Sequence, residues 1–260
     1  MINEKKIIKQ FFEKGYTVIN LRNDNNLKFL CDLIKNEARK DTLKKNLYAD
    51  YDILNNYHKS VSSKNLNKSR LRIINKINHS KKFRNLFYSV FKNYLDILVG
   101  NELVMQKRFG LSIQMPNDQS SLLPVHSDVW SGDSPFEVVA WLPLVNVYKT
   151  KSMYILPPKY LKKLDEIFKK NKLISSDQLF IKIKKYVEWI ELDYGEAIIF
   201  NQTLPHGNVV NKEHETRWTI NCRFKGIFTP YGDKKLGEFF EPISLKPASE
   251  IALKYKFPNI

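Results

Sequence analysis

Apolar residues recur at helical spacing through the first hundred positions and at strand-like spacing after them. Ile7, Ile8, Phe11 and Phe12 form one helical stripe, and Gly15 ends it. The following Tyr16-Thr17-Val18-Ile19-Asn20 predicts a short strand. Leu27, Leu30, Leu33 and Ile34 give a second stripe. The stretch 40–80 is rich in Lys, Asn and Ser with weak periodicity, and predicts irregular helices and loops. Phe83, Leu86, Phe87, Val90, Phe91, Tyr94 and Leu95 then predict a strong amphipathic helix running towards Gly100.

Beyond residue 100 the pattern becomes β-like. A β-rich run over 102–114 is interrupted by Gly110. The stretch 135–147 reads as a strand pair or one long strand, and 153–156 as another, closed by Pro157-Pro158. Leu161, Leu164 and Phe168 mark a helical insert over 158–185. Alternation over 186–192, a turn at Asp193-Tyr194-Gly195, and strands over 196–200, 207–210 and 216–228 complete the set. Many short strands with turn punctuation predict a barrel or jelly roll. The expected architecture is one α+β domain. Helices of 1–100 pack on the outside of a core over 101–228, and 229–260 form a capping tail.

Composition narrows the classes. A hydrophobic fraction of 43% supplies a core and excludes a wholly disordered chain. The longest apolar run, 138–145, is broken by Pro143 and falls far short of the ~20 residues a membrane helix needs. The first residues carry no apolar run of signal-peptide length, so export by that route is not expected, and a cytoplasmic location is the default. The two cysteines, Cys31 and Cys222, have no pair spacing and imply neither a disulfide framework nor a cysteine zinc site. With 43 Lys+Arg against 27 Asp+Glu the formal charge is +16. The excess is mostly Lys, dispersed among Asn, and reads as a solvated surface. Nucleic acid is therefore not the expected partner, whereas an anionic small molecule remains compatible.

Chemistry concentrates around two of the five histidines. His126 and Asp128 are two apart, so in extended chain both face the same side. His206 follows the strand that ends near Phe200. Two imidazoles and one carboxylate on one side of a metal leave three positions open, the arrangement of non-haem Fe(II) oxygenases. Arg217 and Thr219 lie further on, two apart on one strand face, where a guanidinium and a hydroxyl can hold a remote carboxylate. Arg223 shares that face and is the rival clamp. Gln114, upstream on a strand, can reach the co-substrate or substrate, or else pack or face solvent. Trp130 and Asp133, close to His126 and Asp128, can line a substrate pocket by stacking and hydrogen bonding, or pack within their loop. His58, His79 and His214 read as surface residues. The loop 116–124 and the segment after Phe228 are candidate lids.

These residues resemble a known family. His126-Ser127-Asp128, His206 and Arg217-Trp218-Thr219 look like the Fe(II)- and 2-oxoglutarate-dependent dioxygenases, most of all their phytanoyl-CoA dioxygenase-like branch. Phe11 through Ile19, Glu137 through Leu144, and Gly195 through Phe200 resemble that branch's opening helix and strand, central strand, and strand before the distal histidine. The likeness spans roughly residues 5–228. It implies a double-stranded β-helix (a cupin-like jelly roll), with Fe(II) held by His126, Asp128 and His206. It further implies 2-oxoglutarate held by Arg217 and Thr219, and O2 as the oxidant. A narrower likeness, over Ser121 through Glu137 and Lys151 through Pro158, is to oxygenases of sporadic carbohydrate-biosynthesis clusters. It implies hydroxylation of a sugar or nucleotide-sugar in surface-polysaccharide biosynthesis. Many relatives carry Pro-Gly-Ser-His after the central strand; here the stretch is Ile155-Leu156-Pro157-Pro158-Lys159-Tyr160. Rival functions are a cupin-like metal isomerase or lyase without 2-oxoglutarate, and a non-catalytic basic binding protein.

Overall fold

The computed structural model describes residues 3–22, 24–42, 52–171 and 173–258. Helix α1 (Glu4–Lys14) starts at Asn3, whose side chain accepts from Lys6 N, and stops at Gly15 with φ +77°. Strand β1 (Tyr16–Asn20) follows, then α2 (Asn25–Arg39), capped by Asp24. Helix α3 (Ser63–Asn78) occupies the region expected to be irregular. Its buried positions, Leu66, Ser69, Ile73 and Ile77, do lie on one face. The stripe is narrow, one of its members is a serine, and lysines and asparagines surround it, which hides the period. The part of that expectation falling on 43–51 lies outside the described residues. Helix α4 (Lys81–Leu98) buries Phe83, Phe87, Val90, Phe91 and Leu95, as its stripe predicts.

The 102–114 run divides into β2 (Leu103–Gln106) and β3 (Gly110–Gln114). The further strands are β4 (Val138–Pro143), β5 (Tyr154–Ile155), β6 (Glu188–Trp189), β7 (Glu196–Asn201), β8 (His206–Gly207), β9 (Arg217–Gly226) and β10 (Phe240–Ser244). A large antiparallel sheet runs β1-β7-β4-β9-β2-β10, with β3 also paired to β9. A small sheet runs β6-β5-β8. The insert forms α5 (Leu161–Lys170) and α6 (Ser176–Ile183), packed through Leu164, Ile167, Leu179 and Ile183 on Tyr154 and Leu156.

Strand alternation sends the two faces of the large sheet to different neighbours. Ala140, Leu142, Ala197, Ile199, Trp218, Ile220, Cys222 and Phe224 join the helices in the main core. Val139, Trp141, Ile198 and Phe200 point the other way, to Met153, Ile155 and Ile190 on the small-sheet side. Both faces of β4 are thus buried, which explains its apolar run from Val138 to Leu142. The tail does more than cap. Strand β10 pairs with β2 as an edge of the large sheet, and α7 (Pro247–Lys254) follows it. Pro242 argues against a strand in sequence, but an edge strand tolerates proline because one side needs no donors. The register slips beside it, between Pro242 and Ser244.

Candidate metal centre

Backbone pairing brings the two histidines together. His126 N donates to His206 O at 3.0 Å, and His206 N donates to His126 O at 2.8 Å. This isolated antiparallel bridge sets the imidazole centroids 4.4 Å apart. Asp128 does not lie on a strand; it opens a tight turn over Asp128–Ser131. Ser127 between His126 and Asp128 is nevertheless extended, at φ −121° and ψ 135°, so the same-side relation of positions 126 and 128 holds locally. The Ser127 hydroxyl faces away and donates to Gln202 O and Thr203 O. One ligand atom from each of His126, Asp128 and His206 lies within 4.8 Å of the others.

Hydrogen bonds fix how the imidazoles present themselves. His206 Nδ1 is 2.9 Å from Leu204 O, and His126 Nδ1 is 2.8 Å from Pro124 O. A carbonyl only accepts, so each Nδ1 carries a proton and each Nε2 is turned to the cluster, where that of His126 lies 3.5 Å from Asp128 Oδ1. Burial pushes His206 down to about 4, so it is neutral at physiological pH. Burial opposes ionisation of Asp128 as well. Its bond with His126 and the nearby Arg223 charge outweigh this and hold it far below the usual carboxylate range. His206 and Asp128 are buried, whereas His126 is part-exposed and marks the open side.

Strand β9 lines the rest of the cleft. Arg217, Thr219, Asn221 and Arg223 alternate on its inner face and share a hollow of about 190 Å³ with the three clustered residues. Arg217 is 3% exposed. Its Nη1 donates to Ser152 O at 2.9 Å and its Nη2 to the Ser112 hydroxyl at 3.0 Å, but its Nε has no partner. No carboxylate among the described residues is paired with it, and burial alone pushes it down to about 10. A sheltered cation with a spare donor and no counter-charge is a site that an anion completes. Val139, Trp141, Met153 and Phe200 form the apolar wall.

Other predicted residues lie elsewhere. Arg223 is already engaged, 3.0 Å from Asp128 Oδ2 and 3.1 Å from Gln202 Oε1. Gln114 sits opposite Arg217 in register and is fully buried; its amide donates to Val209 O at 2.6 Å, and it does not line the cleft. Trp130 is 47% exposed, edge-on to Phe168 at 5.5 Å, in an outer groove that adjoins His126. Asp133 is buried between Arg223 and Lys234, away from the cleft surface. His79 and His214 are exposed, while His58 is half-buried against the Thr216 hydroxyl. The loop 116–124 is tied down by Asn117 N to Asn211 O and by Leu123 N to Asn208 Oδ1, both 2.8 Å. Ser112 and Asn221 were not singled out from sequence. Continuing the 217, 219 alternation would have found Asn221, but Ser112 needed the β3–β9 register.

No protein-family model matches the chain, and no curated protein matches it. Solved structures do. The nickel complex of the non-heme monooxygenase ThoJ is 12% identical, with a TM-score of 0.56, covering 86% of this chain and 79% of that one. EctD from S. alaskensis, solved with 2-oxoglutarate and 5-hydroxyectoine, is 13% identical with a TM-score of 0.56, covering 88% and 78%. HygX from Streptomyces hygroscopicus, solved with nickel and 2-oxoglutarate, is 11% identical with a TM-score of 0.55, covering 91% and 90%. At these identities the likeness is one of fold: the chain shares the architecture of these non-heme proteins over most of its length.

Proposed function

We propose that this protein is an Fe(II)- and 2-oxoglutarate-dependent oxygenase built on a double-stranded β-helix, of the phytanoyl-CoA dioxygenase-like branch, and that it hydroxylates a sugar or nucleotide-sugar. The observation that carries the reading is Arg217, a buried guanidinium that no carboxylate among the described residues pairs, in the same cleft as the His126–Asp128–His206 cluster. A metal site alone would suit many reactions; a metal site facing a waiting cation suits a chelating co-substrate with a remote carboxylate. The EctD and HygX structures, both solved with 2-oxoglutarate, support the same reading.

In this reading His126, Asp128 and His206 would hold the iron. Arg217 takes the far carboxylate of 2-oxoglutarate, with Thr219 as a further donor and Gln114 packed behind it. Iron with 2-oxoglutarate and dioxygen supplies the oxidation of a substrate C–H bond, leaving succinate and carbon dioxide. The chain's own work is placement. The Nδ1 bonds to Pro124 and Leu204 keep both imidazoles oriented, and the apolar wall keeps water from the reacting centre. Trp130 stands at the groove where a sugar ring would stack.

Anaerobic titration with Fe(II) and then 2-oxoglutarate tests the reading. A weak visible charge-transfer band that disappears in Arg217→Ala is expected. Metal binding without any band would favour an isomerase or lyase, and no metal binding would leave a basic binding protein.

A further inference from the structure

Four alternating charges run from the candidate metal carboxylate to the C-terminal segment. Asp128 Oδ2 lies 3.0 Å from Arg223 Nη2, Arg223 Nε lies 3.5 Å from Asp133 Oδ2, and Asp133 Oδ1 lies 2.6 Å from Lys234 Nζ. The Asp133 side chain is 1% exposed and that of Asp128 is 8% exposed, so solvent screens neither strongly. Arg223 is therefore one guanidinium charge beside two sheltered carboxylates, with its Nε–H donated to Gln202 Oε1 at 3.1 Å. Lys234 contacts only the second of them, with its ammonium also over the Phe239 ring at 4.6 Å. It reaches that place because the tail is seated on the Asp128 loop. Asp233 N donates to Gly132 O at 2.8 Å, and the Ser134 hydroxyl donates to Pro230 O at 2.6 Å.

We propose that Lys234 is a positioning residue: by neutralising Asp133 it leaves Arg223 to Asp128, and so orients the metal-binding carboxylate from the C-terminal segment. The inference rests on the metal reading above. Without the lysine charge, Asp133 draws Arg223 towards itself. Asp128 then loses the anchor on its outer oxygen and has to be ordered anew when a cation binds. Partners one step behind a metal ligand typically change metal affinity by about 10–100-fold. Asp133 thereby has a role distinct from lining a substrate pocket.

The test is calorimetric titration of the full chain with Ni(II). Lys234→Met should weaken binding by about 10-fold, and Lys234→Arg should retain it. The double variant Lys234→Met/Asp133→Asn should return to within about twofold of the unmodified chain, because no competitor for Arg223 remains. Asp133→Asn alone should bind as the unmodified chain does. Unchanged affinity in Lys234→Met overturns the proposal. So does a double variant as weak as Lys234→Met, which would mean that the lysine only fastens the tail. If the unmodified chain binds no metal, the metal reading itself fails, a result distinct from either.

Discussion

At the scale of single residues, neighbours on β9 serve opposite ends. Arg217 faces the cleft, and Trp218 faces the helices, fully buried, edge-on to Tyr57 and donating to Leu54 O at 3.0 Å. Trp218→Ala should destabilise the fold by about 3–5 kcal/mol, read by urea unfolding. Arg217→Ala should instead leave a folded chain whose affinity for 2-oxoglutarate falls by about 100-fold or more, as when one member of a sheltered charge pair is removed. Arg217→Lys should not rescue it, because a point charge lacks the planar fork that reaches Ser152, Ser112 and a carboxylate together. A lysine variant binding as tightly as the arginine would refute that assignment. The alternation that separates these roles is legible in sequence once the strand is recognised; the absence of a counter-charge at Arg217 is not.

At the scale of elements, the far end of β9 carries a second buried cation. Lys225 donates to Gly226 O and Thr229 O and lies over the Tyr231 ring. Burial pushes its ammonium down from 10.5 to about 8. Between those values the unfolded chain holds the proton that the folded chain releases. The destabilising contribution is thus fully present below about pH 8 and fades as pH rises towards 10.5. Compared with Lys225→Met, the native chain should gain stability between about pH 7.5 and 9.5 in paired urea melts. Parallel curves for the two proteins would show that the lysine is not desolvated. The tail offers a second prediction. A methyl at Gly232 would stand 2.2 Å from Gly132 O, a backbone atom that cannot swing aside. Gly232→Ala should therefore unseat 229–239 and speed proteolysis there; an unchanged digestion pattern would mean the contact is dispensable. The tail's strand was hidden in sequence by Pro242, and α3 by its serine-containing stripe.

At the scale of the whole molecule, the helical layer and the small sheet clasp the large sheet from opposite faces, and the cleft opens on the small-sheet side. Ligands that bind only this assembled cleft stabilise the entire fold by mass action, by about 2.7 kcal/mol at 100 times the dissociation constant. Ni(II) with 2-oxoglutarate should accordingly raise the melting temperature. His206→Ala should lose the shift from both, and Arg217→Ala only the part due to 2-oxoglutarate. Equal shifts in all three proteins would mean that binding occurs elsewhere, for instance on the strongly basic surface.

The sequence by itself determined the helical first hundred residues, the strand-rich remainder and most strand positions, because those depend on period and turn chemistry within a few residues. It also singled out His126, Asp128, His206 and Arg217, since their residue types and spacing are local facts. Pairing over long separations was decided only by the tertiary structure. The bridge between positions 126 and 206 brings the two imidazoles together, and the β3–β9 register sets Ser112 opposite Thr219, within hydrogen-bond reach of Arg217. The return of the tail onto the Asp128 loop sets Lys234 against Asp133, the second carboxylate beside Arg223. Which charge finds a partner, and which is left waiting for a ligand, depends on distances of a few ångströms between segments that a linear pattern does not relate.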